Sequence, residues 1–290
     1  MNANFGTLYV VSTPIGNLKD ITLRALGVLA QVDYIVAEDS RHSKRLLDHF
    51  QIKTPFASSY YQGVERQRVD GLLEWLRAGK NLALISDAGT PLLNDPGYPL
   101  VHRAVEAGIA VVPVPGPSAL MAALVMAGFP TDRFIFDGNP PKKTQARRDY
   151  FRSLQTETRT VLLYESAHRI LKTLEEISRQ LPERRLALCR ELTKLHEEAL
   201  HGTAGELLEE LQQRTAIKGE LVLLLHGTTA QQSEPLPERW ALQVQAAIER
   251  GADRKAAIKA VAQRHGVPKR AVFNALERAK NSEDKNEPQA

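Results

Sequence analysis

The sequence predicts an α/β protein, with two α/β domains followed by a small C-terminal helical domain. Three observations carry this. Short apolar runs alternate with longer amphipathic segments over most of the chain, the pattern of strands joined by crossover helices. Turns rich in Gly and Pro follow the apolar runs of the first half. A final segment has helical periodicity and a marked excess of basic residues. With 290 residues, 43% of them apolar, the chain can build more than one core.

Thr7–Ser12 is β-branched and apolar and reads as the first strand. Thr22–Gln31 sets Leu23, Leu26 and Leu29 at helical spacing. Tyr34–Ala37 is a second strand, ending in Glu38-Asp39. Val64–Ala78 is a helix with Leu72, Leu73 and Leu76 inward, and Leu82–Ile85 a buried strand. Gly97–Ala107 is a helix, Ile109–Val114 a strand and Ser118–Ala127 a helix. In the second unit, Phe134–Asp137, Thr160–Tyr164, Leu186–Arg190, Glu197–His201 and Glu220–His226 read as strands. Thr144–Leu154, Ala167–Gln180 and Ala204–Gln212 read as helices.

These elements place the domains at residues 1–117 and 118–232, with Ser233–Pro237 as a linker. The helical domain spans 238–280. Leu242–Arg250 is its first helix, and Asp253 caps a second that runs through His265. Gly266 makes a turn, and Pro268 opens a last helix to Ala279. Two helices joined by a short turn fit a helix-turn-helix. Val272, Leu276 and Ala279 then face inward, and Arg270, Asn274 and Arg278 share another face. Residues 281–290 are polar and read as a disordered tail.

Charge is distributed unevenly. Residues 1–239 carry 28 Lys and Arg against 28 Asp and Glu, whereas 240–280 carry 9 against 3. The basic excess therefore sits in the helical segment, and it points to a polyanionic partner there. Cys189 is the one cysteine; it lies in an apolar run and reads as a buried structural thiol. No basic stretch followed by an apolar one opens the chain, which predicts a cytoplasmic protein. The uncharged stretch 107–131 is cut by Pro113, Pro115, Gly116 and Pro117, so no membrane helix is expected.

Several chemistries are excluded. No Gly-x-Gly-x-x-Gly, no Walker-type phosphate loop and no Gly-x-Ser-x-Gly elbow is present. The eight His are scattered, so no metal is expected. Four strand-end loops remain: Ser12–Leu18, Glu38–His42, Ser86–Gly97 and Pro113–Ala119. In a parallel sheet all four emerge at one edge, where ligands bind. The third, Ser86-Asp-Ala-Gly-Thr-Pro-Leu-Leu-Asn-Asp-Pro-Gly97, is the most constrained, and Asp87 is read as holding its shape.

Thr13-Pro-Ile-Gly-Asn-Leu18, Ala37-Glu-Asp-x-Arg-His42, Ser86-Asp-Ala-Gly-Thr-Pro91 with Asp95-Pro-Gly97, and Pro115-Gly-Pro-Ser-Ala119 resemble the tetrapyrrole methylase superfamily. More narrowly they resemble its bacterial branch that 2′-O-methylates a cytidine ribose in 16S ribosomal RNA. Pro130-Thr-Asp-Arg-Phe134, Tyr164-Glu-Ser166, Arg190–Glu197 and Lys218-Gly-Glu220 extend the resemblance, which runs from about Gly6 to His226. Asn94 and Asp137-Gly-Asn139 depart from the pattern, as does Ser12. The resemblance implies S-adenosylmethionine in a cleft between two α/β domains, and a homodimer. Carried onto this chain, it implies cofactor contacts at Pro14, Ile15, Gly89, Thr90, Leu93, Ser118, Ala119, Tyr164, Gly219 and Glu220. It implies 16S RNA, in the 30S subunit, as the partner.

A ribose 2′-hydroxyl is a poor acid, so transfer to it needs a base or a nearby cation. Two charged clusters offer them: Glu38, Asp39 and His42, and Lys194, His196 and Glu197. Asp39 is the preferred base and Lys194 the electrostatic helper. Lys142, Lys143, Arg147, Arg148, Lys269 and Arg270 are the candidate RNA contacts. Two other readings stay open: a methyltransferase for a tetrapyrrole or other small acceptor, and a DNA-binding regulator whose α/β part senses a ligand.

Overall fold

Continuous apolar runs such as Leu82-Ala-Leu-Ile85 bury both faces of a strand, and a sheet built from them must be covered on both sides. The computed structural model, which describes residues 5–57, 60, 65–228, 237–265 and 267–283, contains two such sheets. The first is wholly parallel. Its strands β1 (Thr7–Val11), β2 (Tyr34–Ala37), β3 (Leu82–Ile85) and β4 (Ala110–Val114) lie in the order β2-β3-β1-β4. On one face Leu8, Val36, Leu82 and Leu84 pack against Leu72, Leu73 and Leu76 of a helix. On the other, Val11, Ile35, Ala83 and Ile85 pack against Ala25 and Leu29 of another.

The helices of this half are α1 (Leu23–Gln31), α2 (Ser40–His49), α3 (Glu65–Arg77) and α4 (Tyr98–Glu106). Thr22 caps α1 by accepting from Ala25 N at 3.0 Å. α2 departs from the sequence reading, which left its first residues in a loop. Its apolar stripe is narrow, Leu46 and Leu47 beside Ser43, on an otherwise polar helix. Asp39 starts it by accepting from Arg41 N at 2.9 Å. The helix expected over Val64–Ala78 is α3; Val64 lies outside the described residues.

The second sheet is mixed, in the order β5-β6-β9-β7-β8. β5 (Phe134–Phe136) is parallel to β6 (Thr160–Ser166). β9 (Glu220–Leu225) is antiparallel to both β6 and β7 (Leu186–Arg190), and β8 (Glu198–Gly202) is antiparallel to β7. Alternate residues of β9 serve opposite faces. Leu221, Leu223 and Leu225 meet α7 (Ile170–Gln180) and α8 (Ala204–Gln212); Val222 and Leu224 meet the apolar helix α5 (Ala119–Ala127). The Arg-rich helix is α6 (Thr144–Ser153). Cys189 is buried on the α5 side of β7, as its apolar setting suggests.

By internal contacts the chain divides into residues 1–154 with 159–227, and 155–158 with 228–290. The second unit holds α9 (Pro237–Glu249), α10 (Arg254–His265) and α11 (Lys269–Glu283) around Trp240, Val244, Ile258, Val261, Val272 and Leu276. Asp253 caps α10, accepting from Lys255 N and Ala256 N. α11 runs to Glu283, past the expected helix end at Ala279 and into the first residues of the segment expected to be a disordered tail. The linker residues 233–236, Gly266 and tail residues 284–290 lie outside the described residues.

Candidate functional site

All four strand-end loops meet at the carboxyl edge of the first sheet, and hydrogen bonds lace three of them tightly. Thr13 and Gly89 exchange both backbone bonds, at 2.9 and 3.0 Å. Thr13 Oγ1 donates to Ser86 O at 3.2 Å. Thr90 Oγ1 donates to Pro117 O at 3.3 Å, so its single proton is used and the Ser12 hydroxyl, 3.0 Å away, is the donor to it. The second loop joins through Asp39 N, which donates to Asp87 Oδ1 at 3.1 Å.

Facing these loops across a cavity of ≈ 300 Å³ are the ends of β6, β7 and β9. Ile15, Gly89, Thr90, Leu93, Ser118 and Ala119 line it from the first-sheet side. Tyr164, Gly219 and Glu220 line it from the second. Pro14 does not; it faces a separate hollow on the other side of its loop. Asp95, Glu165, Ser166 and Leu192 also line the cavity, though no chemistry singled them out in the sequence. Each sits inside a stretch recognised there, so the stretch was visible but the side-chain direction was not.

The backbone of both walls is strained. Of the non-glycine residues with positive φ among those described, Leu92 (74°) and Asn94 (71°) lie in the Ser86–Gly97 loop. Glu191 (52°) and Thr193 (65°) lie in the opposing loop after β7. Such conformations cost energy and persist where surrounding structure fixes them, often at ligand sites. Gly219, at φ 98°, admits no side chain, because a Cβ would run into the Glu191 carboxylate. Two departures from the family pattern bond to each other here: Asn139 Nδ2 donates to Asn94 Oδ1 at 3.2 Å.

The cavity's charged lining is acidic. Among the described residues Asp95, Glu165 and Glu220 face it and no Lys or Arg does, which disfavours a phosphate and suits a cation. Glu165 is fully engaged, accepting from Thr173 Oγ1 at 2.5 Å and Ser166 N at 2.8 Å. Burial, with Asp87 nearby, pushes the Asp95 carboxyl upward, against its Ser86 hydrogen bond. Burial, then Asp95 and Glu220, push the Tyr164 phenol up to about 12. The apolar remainder, Ile15, Leu93, Ala119 and Leu192, suits an uncharged ring or chain. A sulfonium cofactor with an adenosyl group fits this donor set. Among the described residues no group of three or more His, Cys, Asp or Glu is placed to hold a metal.

The two expected catalytic residues lie outside the cavity. Asp39 caps α2 and pairs with Arg41 at 2.9 Å, and the Arg41 hydrogen bonds hold its carboxyl down at about 2. A carboxylate held that low is a weak base. Its neighbour Glu38 has the opposite environment: burial, then the charges of Asp95, Asp87 and Asp39, raise it to about 7. Lys194 bridges Glu191 Oε1 (2.8 Å) and Glu220 Oε2 (3.2 Å). Burial works against its charge, but these two carboxylates outweigh it and hold its pKa above the ordinary value. It orients Glu220 from behind, and its Cγ lies where a Cβ on Gly16 would come, 2.5 Å away.

The expected RNA contacts divide similarly. Lys142 and Lys143 are exposed before α6. Arg147 turns inward instead, buried and donating to Lys142 O at 3.2 Å. Arg148 pairs with the buried Glu176 at 3.2 Å. Arg147 is thus used within the fold, and Arg148 is engaged there through its Nε. In the second unit Lys269 and Arg270 line a hollow with Arg254, Lys255, Lys259 and the exposed ring of Phe273. Arg254 also sits 5.7 Å over that ring.

A family model described as Tetrapyrrole (Corrin/Porphyrin) Methylases matches residues 7–208. A ribosomal RNA small subunit methyltransferase I of Escherichia coli O157:H7 is 48% identical over 271 residues, covering 92% of this chain and 93% of the relative. One from Pasteurella multocida is 44% identical over 275 residues, covering 94% and 97%. Among solved structures, a uroporphyrin-III C-methyl transferase from Thermus thermophilus, complexed with S-adenyl homocysteine, shares the fold. Its TM-score is 0.51 at 19% identity, over 76% of this chain and 97% of that one.

Proposed function

The chain belongs to the tetrapyrrole (corrin/porphyrin) methylase family, and from that premise we propose that it is an S-adenosylmethionine-dependent methyltransferase that 2′-O-methylates a cytidine ribose in 16S ribosomal RNA. The observation that carries this reading is the 48% identity, along nearly the full length of both chains, to a relative named a small subunit ribosomal RNA methyltransferase. The acidic, partly apolar cavity supports the cofactor. The basic hollow of the helical unit, with Lys269 and Arg270, supports a nucleic-acid acceptor. No helix among the described residues is long and apolar enough to cross a membrane.

When bound, S-adenosylmethionine supplies an electrophilic methyl group on a sulfonium. The chain's part is positioning and proton handling. Asp95 and Glu220 offer negative charge toward the cation, and Lys194 fixes Glu220. Glu38, raised to about 7, takes the 2′-hydroxyl proton as general base. Pairing as a homodimer has a matching face: α5 is apolar all round, yet Met121 and Val125 are exposed and line a hollow with Leu192.

The test is methyl transfer from labelled cofactor to 30S subunits, free 16S RNA, porphyrin precursors and DNA, side by side. Label in the RNA, at a linkage that resists alkali because its 2′-oxygen is blocked, is the expected result. Label in the porphyrin arm alone, or in none, rejects the reading.

A further inference from the structure

The hollow faced by Pro14 has a composition opposite to that of the cofactor cavity. It encloses ≈ 280 Å³ between the first and third strand-end loops and α2. His42, Ser43 and Arg45 of α2 line it, with Leu18 and Asp87 opposite. Ser43 is 3% exposed, and its Oγ has no hydrogen-bond partner among the described residues. A buried hydroxyl left without a partner costs stability unless a ligand group completes it. Lys44 and Arg45 are exposed and form no ion pair among the described residues, and α2 presents its N-terminus at this edge. The hollow and the cavity lie on either side of one loop: Pro14 faces the first and Ile15 the second.

We propose that this hollow docks a ribose-phosphate segment of the acceptor RNA strand, with Arg45 and Lys44 on the phosphate and Ser43 Oγ bonded to a strand oxygen, delivering the neighbouring ribose to the cofactor cavity. The proposal rests on the RNA methyltransferase reading above. Asp87 of the hollow and Asp95 of the cavity both act on Glu38, at the end of β2.

The full-length chain carrying Lys44→Ala with Arg45→Ala tests it, against Lys172→Glu on α7, which removes the same charge far along the sequence. Binding to 16S RNA and 30S subunits is measured across salt, with methyl-transfer kinetics and cofactor affinity. The double variant is expected to bind RNA roughly tenfold more weakly. Its log–log salt slope should be shallower by roughly 0.7 for each phosphate no longer neutralised. KM for the subunit should rise with little change in kcat or cofactor affinity. Ser43→Ala, which keeps the charge, should raise KM roughly threefold to tenfold. Unchanged affinity and slope in the double variant, or an equal loss in Lys172→Glu, overturns the docking site while wild-type methylation stands. A wild-type protein that methylates no RNA overturns the function and the docking site together.

Discussion

The backbone N–H of Asp39 donates to Asp87 Oδ1 at 3.1 Å, across 48 residues of sequence. The carboxylate of Asp39 is itself committed to Arg41 and to the start of α2. The most prominent acid of the Ser86–Gly97 loop is therefore a tether. It holds the end of β2 against the loop that lines the cofactor cavity, and so sets where Glu38 stands.

Cutting that tether has a measurable cost. Asp87→Ala is expected to lower stability by about 1–2 kcal/mol, the value of a hydrogen bond to a charged acceptor that is partly open to water. Asp87→Asn keeps the Oδ1 acceptor and should recover most of the loss. Urea denaturation midpoints for the three proteins decide it; an alanine variant with the wild-type midpoint removes the tether from the account.

Glu38 makes both activity and stability depend on pH. Its ordinary value of 4.5 applies to the unfolded chain, and about 7 to the fold. Below 4.5 both states hold the proton, so there is no penalty. Between 4.5 and about 7 the unfolded chain has released the proton and the fold has not, so stability falls across that window and levels off above it, where the fold carries a charge that its burial and acidic neighbours disfavour. Glu38→Gln should melt like wild type near pH 4 and above it at pH 8. The same variant should lose most methyl transfer together with the wild type's rise in kcat through pH 7. A variant that keeps that rise assigns the base elsewhere.

Much of this was legible in the sequence, and the limits are physical. The strands declare themselves because Leu82–Ile85 and Leu221–Leu225 are apolar without interruption, and the loops because Gly and Pro bound them. The antiparallel placing of β9 between β6 and β7 was not, since pairing direction leaves no trace in an apolar run. α2 was hidden by its polarity. Asp39 and Glu38 are adjacent in sequence and chemically alike; the hydrogen bonds of Arg41 to Asp39, and for Glu38 burial and then the charges of Asp95 and Asp87, push their pKa values apart. Arg147 and Arg148 resemble surface charge in a string of letters, because Glu176 lies 28 residues beyond Arg148.

The exposed face of α5 predicts self-association. Met121 is 46% exposed and Val125 80%, and both line a hollow with Leu192, where solvent gains nothing from either. Met121→Asp combined with Val125→Asp should convert a dimer to a monomer in sedimentation equilibrium, with cofactor affinity changed little. A wild-type protein that sediments as a monomer, or a double variant that stays dimeric, excludes this face as the interface.

Arg148 separates a structural arginine from an RNA contact. Its Nε holds Glu176, whose side chain is 2% exposed and whose other oxygen faces Arg179, 3.6 Å away. Removing Arg148 leaves a buried carboxylate half-compensated, so Arg148→Ala should cost roughly 1–3 kcal/mol. Arg148→Ala with Glu176→Leu removes both charges and should recover much of that loss, because no buried carboxylate is left uncompensated and Arg179 is exposed enough to turn to solvent. RNA affinity and its salt slope should not move in either variant. The exposed pair Lys142→Ala with Lys143→Ala is the counterpart, leaving the melting temperature unchanged and flattening the salt slope if those lysines meet phosphate. A flattened slope in Arg148→Ala at full stability would return that arginine to the RNA surface.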